Sequence, residues 1–294
     1  MHDQANELRQ QFQSMHSQKT LRQPKIVALS GGSPKAGSTT VSVNVAVALA
    51  QQGRRIVLID ADQQAADATA LCELDDTHGC LAEVVREGRS IHEALERGPA
   101  GVLVLPGSPG SGPESMSEAQ TLIQQSRSLG LYADAVLIDL GSRTDAFARC
   151  LWQAAEIVGV ITTPEVQAVM DTYATMKSLL SSDGSRMIHT IVNLAGDGQI
   201  AHQVHGRLTE TSRRFLGAST RLMGHVPFDA ELDRASVPAQ SILLHSPRSV
   251  AARALDRLAE TLWVMLMSSS MWFDQRGAAS EDFAPAAGYG PLAA

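Results

Sequence analysis

The chain has 294 residues, 44% of them hydrophobic and 19% charged, which suits one large folded core with short tails. Its formal net charge of −7 argues against a basic stripe that neutralises many phosphates, because non-specific nucleic-acid affinity grows with the number of lysine and arginine contacts. A local basic patch stays open, and we expect no specific nucleic-acid partner. The 3 cysteines have neither the paired short spacings of a zinc site nor the even number of a disulfide framework, so we expect reduced thiols.

The predicted elements begin after a polar leader, residues 1–24, which we expect to be an exposed segment ahead of the fold. From Lys25, a strand (KIVALS), a glycine-rich loop and a helix (TTVSVNVAVALAQQG) form a first β-loop-α unit. Further Val/Ile/Leu-rich runs follow, separated by helical stretches: RRIVLID, GVLVLP, DAVLID, IVGVITT, MIHTIVN and TRLMGHV. Such continuous apolar strands predict an α/β fold with a mostly parallel central sheet and helices on both faces, over residues 25–267.

The C-terminal region contains a predicted helix up to Met267 and then residues 268–294, which are mostly small and which we expect to form a disordered tail. The stretch LWVMLMSSSMWF, from Leu262 to Phe273, has two interpretations: a helix end packed on the core, or a membrane-targeting element. Few basic residues accompany it, which favours packing. Because the sequence has no run of transmembrane length and no signal-peptide pattern, we expect a cytoplasmic protein, with peripheral contact at the inner membrane face as the open alternative.

The loop between the first strand and helix is the first candidate site. Its sequence, GSPKAGST from Gly32 to Thr39, has the setting of a G-x-x-x-x-G-K-[ST] phosphate-binding loop. Gly32 and Gly37 let backbone N–H groups approach phosphate, the helix N-terminus adds partial positive charge, and Thr39 offers a hydroxyl to Mg²⁺. Ser38 stands where the lysine belongs, and losing one charged hydrogen bond weakens nucleotide binding by roughly one to two decades. Taken alone, the loop could also be a plain strand-to-helix turn.

Three acidic residues follow predicted strands. The run LIDAD puts Asp60 and Asp62 at the carboxyl edge of the sheet, beside the loop, and the later run AVLIDLG ends its strand in Asp139. Carboxylates at this edge suit Mg²⁺ and water, and the apolar run before Asp139 has the form of a Walker B motif. A lone aspartate would more often be a turn residue, but three in this order favour a nucleotide site.

Several segments carry a family resemblance. The sequence from Lys25 to Asp62 resembles the opening of MinD/ParA ATPases, whose loop usually reads GKGGVGKT. ITTPEVQAVMDTYATMKSLL is similar to the FlhG branch of this family, which regulates flagellar number and placement. DQANELR, near the N-terminus, resembles the DQAxxLR segment with which FlhG proteins engage the GTPase FlhF. The similarity continues through IVNLAGD, RLTETSRRFLG, GHVPFDAELDRA and HSPRSVAARALDRLA to about Leu262.

The resemblance implies ATP and Mg²⁺ as cofactors and gives residues roles by position. The metal would lie at Thr39, Asp60 and Asp139. Two carboxylates would be catalytic: Asp62 in switch I, which positions the attacking water, and Asp139 in switch II. The nucleotide would be contacted by Gly32, Ser33, Lys35, Gly37, Ser38, Thr39 and Thr40 in the loop, and by Asn193 and Pro227 around adenine. The FlhF-like GTPase would be contacted by Asp3, Gln4, Leu8 and Arg9.

The loop departs from the family pattern at both lysines. The family's signature lysine reaches across a nucleotide-sandwich dimer, and here that position is Ser33, with Lys35 displaced nearby. Because phosphoryl transfer depends on positioned charge, we expect weak or absent ATP hydrolysis, and we leave ATP-driven homodimer formation open.

Two functions stand first: a nucleotide-dependent FlhG-like regulator, and a non-enzymatic scaffold with the same fold. A DNA-bound partition ATPase ranks lower because the chain is acidic. A polysaccharide-linked tyrosine kinase, whose phosphate loop is also similar, ranks last because the tail has Tyr289 alone.

Overall fold

A computed structural model of the chain describes residues 23–64, 67–74, 78–110, 112–180, 187–231 and 240–278, with side chains described as far as Ser268. Its strands are β1 (Lys25–Gly31), β2 (Ile56–Asp60), β3 (Glu96–Arg97), β4 (Leu103–Leu105), β5 (Ala135–Asp139), β6 (Ile157–Thr162), β7 (Met187–Ala195) and β8 (Ser219–Pro227). Its helices are α1 (Ser38–Gln51), α2 (Asp67–Leu71), α3 (Ile91–Ala94), α4 (Met116–Arg127), α5 (Ala146–Ala154), α6 (Val166–Leu179), α7 (Gly198–Leu216), α8 (Ile242–His245) and α9 (Val250–Ala278). Shorter helical turns occupy Glu83–Glu87, Pro99–Gly101 and Ser128–Leu131.

The strands of the described residues form one 8-stranded sheet in the order β3-β4-β2-β5-β1-β6-β7-β8. All neighbouring strands are parallel except β3, which pairs antiparallel with β4 at one edge. The predicted fold class, a mostly parallel sheet with helices on both faces, is confirmed. The sequence pattern missed β3, since its two residues are too few to display a strand period.

Two apolar layers cover the sheet because successive side chains of a strand point to opposite faces. In β1, Val27 and Leu29 pack into a cluster with α1 and α9, whereas Ile26 and Ala28 pack into a cluster with α4, α5 and α6. Both faces of the central strands are therefore buried, which explains their uninterrupted apolar sequence.

Helix α9 covers one face of the sheet. It extends beyond Met267, the predicted end of the domain, to Ala278. Leu262 and Leu266 are buried in the cluster with α1, and the guanidinium carbon of Arg54 lies 4.5 Å from the centroid of the Trp263 ring. Val264 and Met267 are exposed. Among the described residues, no helix combines the length and apolar character needed to cross a membrane.

Candidate functional site

The candidate phosphate loop and the candidate acids meet at one edge of the sheet. Strand β5 lies between β1 and β2, with Asp139 opposite Leu29 on one side and Asp60 on the other. The loop from β1 to α1 thus begins beside the end of β5 and one strand further from the end of β2. Since the carboxyl ends of parallel strands form the ligand-binding crevice of such sheets, this edge is where a nucleotide site is expected.

Two glycines fix the shape of the phosphate loop. Gly32 donates its N–H to Ile161 O at 2.7 Å, and a Cβ there would lie 2.1 Å from Thr172 Oγ1 on α6. Thr175, one turn along α6, donates its hydroxyl to Gly32 O at 3.0 Å. Gly37 has a φ of +82°, and a Cβ there would lie 2.4 Å from Asn193 Nδ2. Both positions therefore need glycine for close packing, and Gly37 also for its backbone conformation.

The start of α1 is suited to an anion. Gly37 is its N-cap, and no side chain among the described residues caps its first turn, which also contains no acidic residue. The first N–H groups of a helix lack partners within the helix and carry the positive end of its dipole. A phosphate group fits such an end without a lysine.

The residues at the lysine positions bring no positive charge to the loop. Ser33 and Ser38 are buried, and Ser38 Oγ lies 3.0 Å from the place a Cβ on Gly31 would take. Lys35 is exposed at the tip of the loop, with a φ of 64°. Thr39 and Thr40 are half-buried in the first turn of α1. The electrostatic attraction to phosphate therefore depends on backbone groups and the helix end.

Asp139, like Asp60, is fully buried at this edge. Ser42 Oγ on α1 donates to its Oδ1 at 3.3 Å, and the N–H of Gly141 contacts the same oxygen at 3.4 Å. Burial, with the nearby charge of Asp60, raises the pKa of Asp139 to about 7, and the neighbouring Thr39 hydroxyl acts against the shift. Oδ2 is buried and has no hydrogen-bond partner among the described residues. An unpartnered carboxylate oxygen close to a threonine hydroxyl fits a Mg²⁺ ion, which prefers oxygen ligands.

Asp60 has a different environment. Its Oδ2 accepts hydrogen bonds from the N–H and the hydroxyl of Thr69 on α2, at 2.9 and 2.7 Å. The Thr69 hydroxyl in turn accepts from Gly107 N at 3.0 Å. Burial raises the pKa of Asp60 to about 6, although these hydrogen bonds act against the shift. Asp60 therefore connects α2 and the glycine-rich stretch after β4 to the site.

Asp62 lies against the loop that follows β5. A Cβ on Gly141 would lie 2.3 Å from Asp62 Oδ2, so this contact requires glycine. Oδ1 accepts from Gln64 N at 2.9 Å. Among the described residues, no cluster of three or more His, Cys, Asp and Glu side chains forms a metal site. A cation at this edge would be held by Thr39 and Asp139 together with phosphate oxygens, as Mg²⁺ commonly is.

Asn193 and Pro227 lie at the ends of β7 and β8. Asn193 is buried and donates its Nδ2 to Ala36 O in the phosphate loop at 2.9 Å, whereas its Oδ1 has no partner among the described residues. A buried amide oxygen of this kind can accept from an amino group, such as that of adenine. Pro227 stands opposite Ala195 and is half-buried. The two residues are separated from the acids by the loop itself.

Sequence reasoning missed several residues that shape the site: Ser42, Thr69, Thr172, Thr175 and Arg143. Ser42 could have been found from its spacing, because it lies one helical turn after Thr39 on α1. The threonines of α6 and α2 reach the site only through the packing of distant chain segments, which no local pattern reveals. The predicted partner-binding residues, Asp3, Gln4, Leu8 and Arg9, lie outside the described residues.

Residues 26–242 match the family described as the CobQ/CobB/MinD/ParA nucleotide binding domain. The chain belongs to this family. The match begins in β1, contains the phosphate loop and all three acids of the edge, and ends at the start of α8. The predicted resemblance to MinD/ParA proteins is confirmed.

Two relatives of this MinD/ParA-family chain narrow the resemblance. It is 29% identical over 245 residues to the antiactivator FleN of Pseudomonas aeruginosa, an FlhG protein, covering 80% of this chain and 85% of that protein. It is 21% identical over 259 residues to the flagellum site-determining protein YlxH of Helicobacter pylori, covering 86% of each. These matches confirm the predicted similarity to the FlhG branch.

Solved structures of MinD share the fold. The Pyrococcus furiosus cell division ATPase MinD aligns with a TM-score of 0.65 at 21% identity, over 82% of this chain and 99% of that one. MinD of Pyrococcus horikoshii, solved with Mg-ADP, aligns with a TM-score of 0.64 at 22% identity, over 81% and 96%. At these identities the likeness extends to the architecture of the sheet and its helices.

Proposed function

We propose that this MinD/ParA-family protein is an FlhG-like regulator of flagellar number and placement that binds ATP or ADP with Mg²⁺ and has weak or no ATP hydrolysis. The observation that carries the nucleotide site is the buried, unpartnered Oδ2 of Asp139 beside Thr39 at the uncapped start of α1. The names of FleN and YlxH, and the Mg-ADP in the Pyrococcus horikoshii structure, support the biological role and the ligand.

In this proposal, each part of the site has a separate task. The loop N–H groups and the start of α1 bind the phosphates, and Thr39 and Asp139 hold the cation. Bound Mg²⁺ would neutralise phosphate charge. Asn193 would offer its Oδ1, which has no partner among the described residues, to the amino group of adenine, with Pro227 nearby. Asp62 would position the attacking water. The chain thus keeps groups for binding and for orienting water.

Weak hydrolysis follows from the missing charge. A phosphoryl-transfer transition state is stabilised by cations placed around its oxygens. Ser33 and Ser38 are neutral, and Lys35 lies exposed at the loop tip. The same two serines support the alternative function, a non-enzymatic MinD-fold scaffold, in which the fold persists and nucleotide no longer governs partner choice.

The proposed partner is an FlhF-like GTPase, contacted by Asp3, Gln4, Leu8 and Arg9 in the leader. On a helix, Gln4 and Leu8 share one face at i,i+4 spacing, which makes a small surface for docking. The proposal also includes a homodimer, as the similarity to MinD structures suggests. We place the protein in the cytoplasm, with peripheral membrane contact less favoured, because Leu262 and Leu266 of α9 are buried on the core.

Titration of the purified full-length chain with Mg-ATP and Mg-ADP, by calorimetry, tests the nucleotide site. We expect binding of both, a loss of affinity in Thr39→Ala, and phosphate release near background. The exposed Thr261→Ala on α9 is the matched control and should bind as the wild type does. Absence of binding would favour the scaffold function, and turnover comparable to that of ordinary MinD proteins would refute weak hydrolysis.

The partner is tested separately, with the FlhF-like GTPase of the same organism. A peptide of residues 1–21 should raise its GTP hydrolysis without ATP, and Ala at Gln4 and Leu8 should remove this effect. Thr39→Ala in the full chain should leave it intact. If neither peptide nor full chain changes that GTPase, the flagellar partner is wrong and the family assignment alone stands.

A further inference from the structure

One arginine joins the loop after β5 to two other loops of the site. The Arg143 side chain is 6% exposed, and its guanidinium carbon lies 4.6 Å from the centroid of the Phe147 ring. Nη1 donates to Ala61 O at 2.9 Å, and Nη2 donates to Pro113 O. Nε and Nη2 both donate to Asp145 Oδ2. The planar donor fork of arginine suits such a set of partners at once.

The partners of Arg143 place it at the centre of the acidic half of the site. Ala61 is the residue between Asp60 and Asp62, so its carbonyl belongs to the segment that carries both acids. Pro113 ends the glycine-rich stretch after β4, from which Gly110 also donates its N–H to Gln63 O at 3.2 Å.

Asp145 anchors Arg143 to helix α5. Its Oδ1 accepts the N–H of Ala148 at 2.9 Å and so caps α5, whose Phe147 and Leu151 are buried in the core. The pair of Arg143 with Asp145 therefore attaches the Ala61 and Pro113 loops to a packed helix. Contacts of this kind lower the number of conformations that the loops can adopt.

We propose that Arg143 is a positioning residue of the nucleotide site, which holds the Asp62 segment (residues 61–64) against the loop after β5 before any nucleotide binds. The identity of the ligand rests on the proposed function, whereas the restraint on the segment does not. Asp62 already packs on Gly141, and Arg143 keeps this contact by binding the carbonyl that precedes Asp62. The site thus enters nucleotide binding with its acids in place.

Amide hydrogen exchange in the nucleotide-free full chain tests the restraint. The N–H groups of Ala61 and Asp62 donate to the ends of β5 and β2, and those of Gln64 and Gly110 donate to acceptors within the Asp62 segment, so their exchange reports on its opening. Because Arg143→Ala removes charged hydrogen bonds to these loops, it should speed the exchange of these amides about 10- to 100-fold. Exchange in β1 should be unchanged, which separates a local effect from general destabilisation.

Two further variants sharpen the experiment. Arg143→Lys keeps the charge but not the fork, and should give an intermediate increase, which also serves if the alanine variant fails to fold. Arg149→Ala removes an exposed arginine of α5 that contacts Thr144 O, and should exchange as the wild type does. Wild-type exchange at these amides in the folded Arg143 variants would overturn the proposal.

Measurement of Mg-ADP affinity tests whether the restraint that Arg143 places on the Asp62 segment affects nucleotide binding. Arg143→Ala should bind Mg-ADP more weakly than Arg149→Ala, because part of the binding free energy must then order the segment. Wild-type affinity in Arg143→Ala would overturn the positioning role. If the wild-type chain itself binds no nucleotide, the proposed function fails, and the exchange experiment still decides whether Arg143 restrains the segment.

Discussion

The candidate nucleotide site has two halves, the phosphate loop and the acid-bearing strand ends, and they retain different features of such a site. The loop from β1 to α1 keeps its backbone shape, with Gly32 against Thr172 and Gly37 against Asn193, but carries serine at both lysine positions. The ends of β2 and β5 keep their acids in dense contact with neighbouring loops. Backbone shape and metal ligands support binding, whereas the lysines of such a loop both bind the phosphates and stabilise the charge of the transition state. The difference teaches that the backbone shape and the acids of such an edge can be present without its lysines.

The largest effect should come from the acidic half. Asp139→Asn keeps the size of the side chain but removes the carboxylate that would hold the cation. We expect Mg²⁺-dependent nucleotide affinity to fall by about 100-fold or more, since a charged contact and its metal are lost together. Calorimetry with Mg-ADP, repeated in excess chelator, measures the change. Unaltered Mg²⁺ dependence in this variant would place the cation elsewhere.

The loop half is tested by comparing Gly37, in the loop, with Gly53, which has the same backbone conformation but lies after α1. Gly37 and Gly53 have φ values of 82° and 81°, but a Cβ meets Asn193 at Gly37 and nothing within 4 Å at Gly53. Gly53→Ala should cost about 1 kcal/mol of unfolding free energy through backbone strain alone. Gly37→Ala should cost about 1–3 kcal/mol more from overpacking, and should also weaken nucleotide binding. Equal costs in denaturant titrations would mean that Asn193 does not constrain the loop.

The sequence predicts the fold more completely than it predicts the side-chain contacts of the site. The apolar runs of β1, β2, β5 and β6 predicted the parallel sheet because burial on both faces leaves a continuous signal. The position of Asp139 followed from the end of its strand. The free Oδ2 of that residue, the engagement of Asp60 by Thr69, and the reach of Arg143 to Ala61 could not be predicted. They depend on where side chains from separate segments meet in three dimensions.

Restoring charge to the loop should partly cancel the difference between the halves. Ser38→Lys places an ammonium group at the start of α1, where it can contact the β and γ phosphates. We expect Mg-ATP affinity to rise roughly 10- to 100-fold. Ser117→Lys makes the same change in the first turn of α4, on an exposed site, and should leave nucleotide affinity unchanged. No gain in Ser38→Lys would mean that the loop no longer accepts a nucleotide.

The smallest expected effect is on the pH dependence of stability. It distinguishes the acidic half from the loop half because the buried serines of the loop do not titrate. In metal-free protein, burial raises the pKa of Asp139 to about 7 and that of Asp60 to about 6, from a usual value of 3.8. Between pH 3.8 and about 7 the folded chain therefore binds more protons at these groups than the unfolded chain does. Their contribution to stability is present at low pH and is lost as pH rises through the folded pKa values.

Other groups act in the opposite direction, so the comparison must be made between variants. Burial lowers the pKa of His189 and of His205, which makes the folded chain less stable as pH falls below their usual value of 6.5. Both histidines are present in wild type and in Asp139→Asn, so their effect cancels in the difference between the two. With chelator present, unfolding free energies from pH 5 to 8 should show Asp139→Asn gaining on the wild type as pH rises. The gain should be at most about 1.4 kcal/mol per pH unit. Ser38→Ala should show no such trend, and a constant difference between wild type and Asp139→Asn would mean that this carboxyl does not titrate in the range.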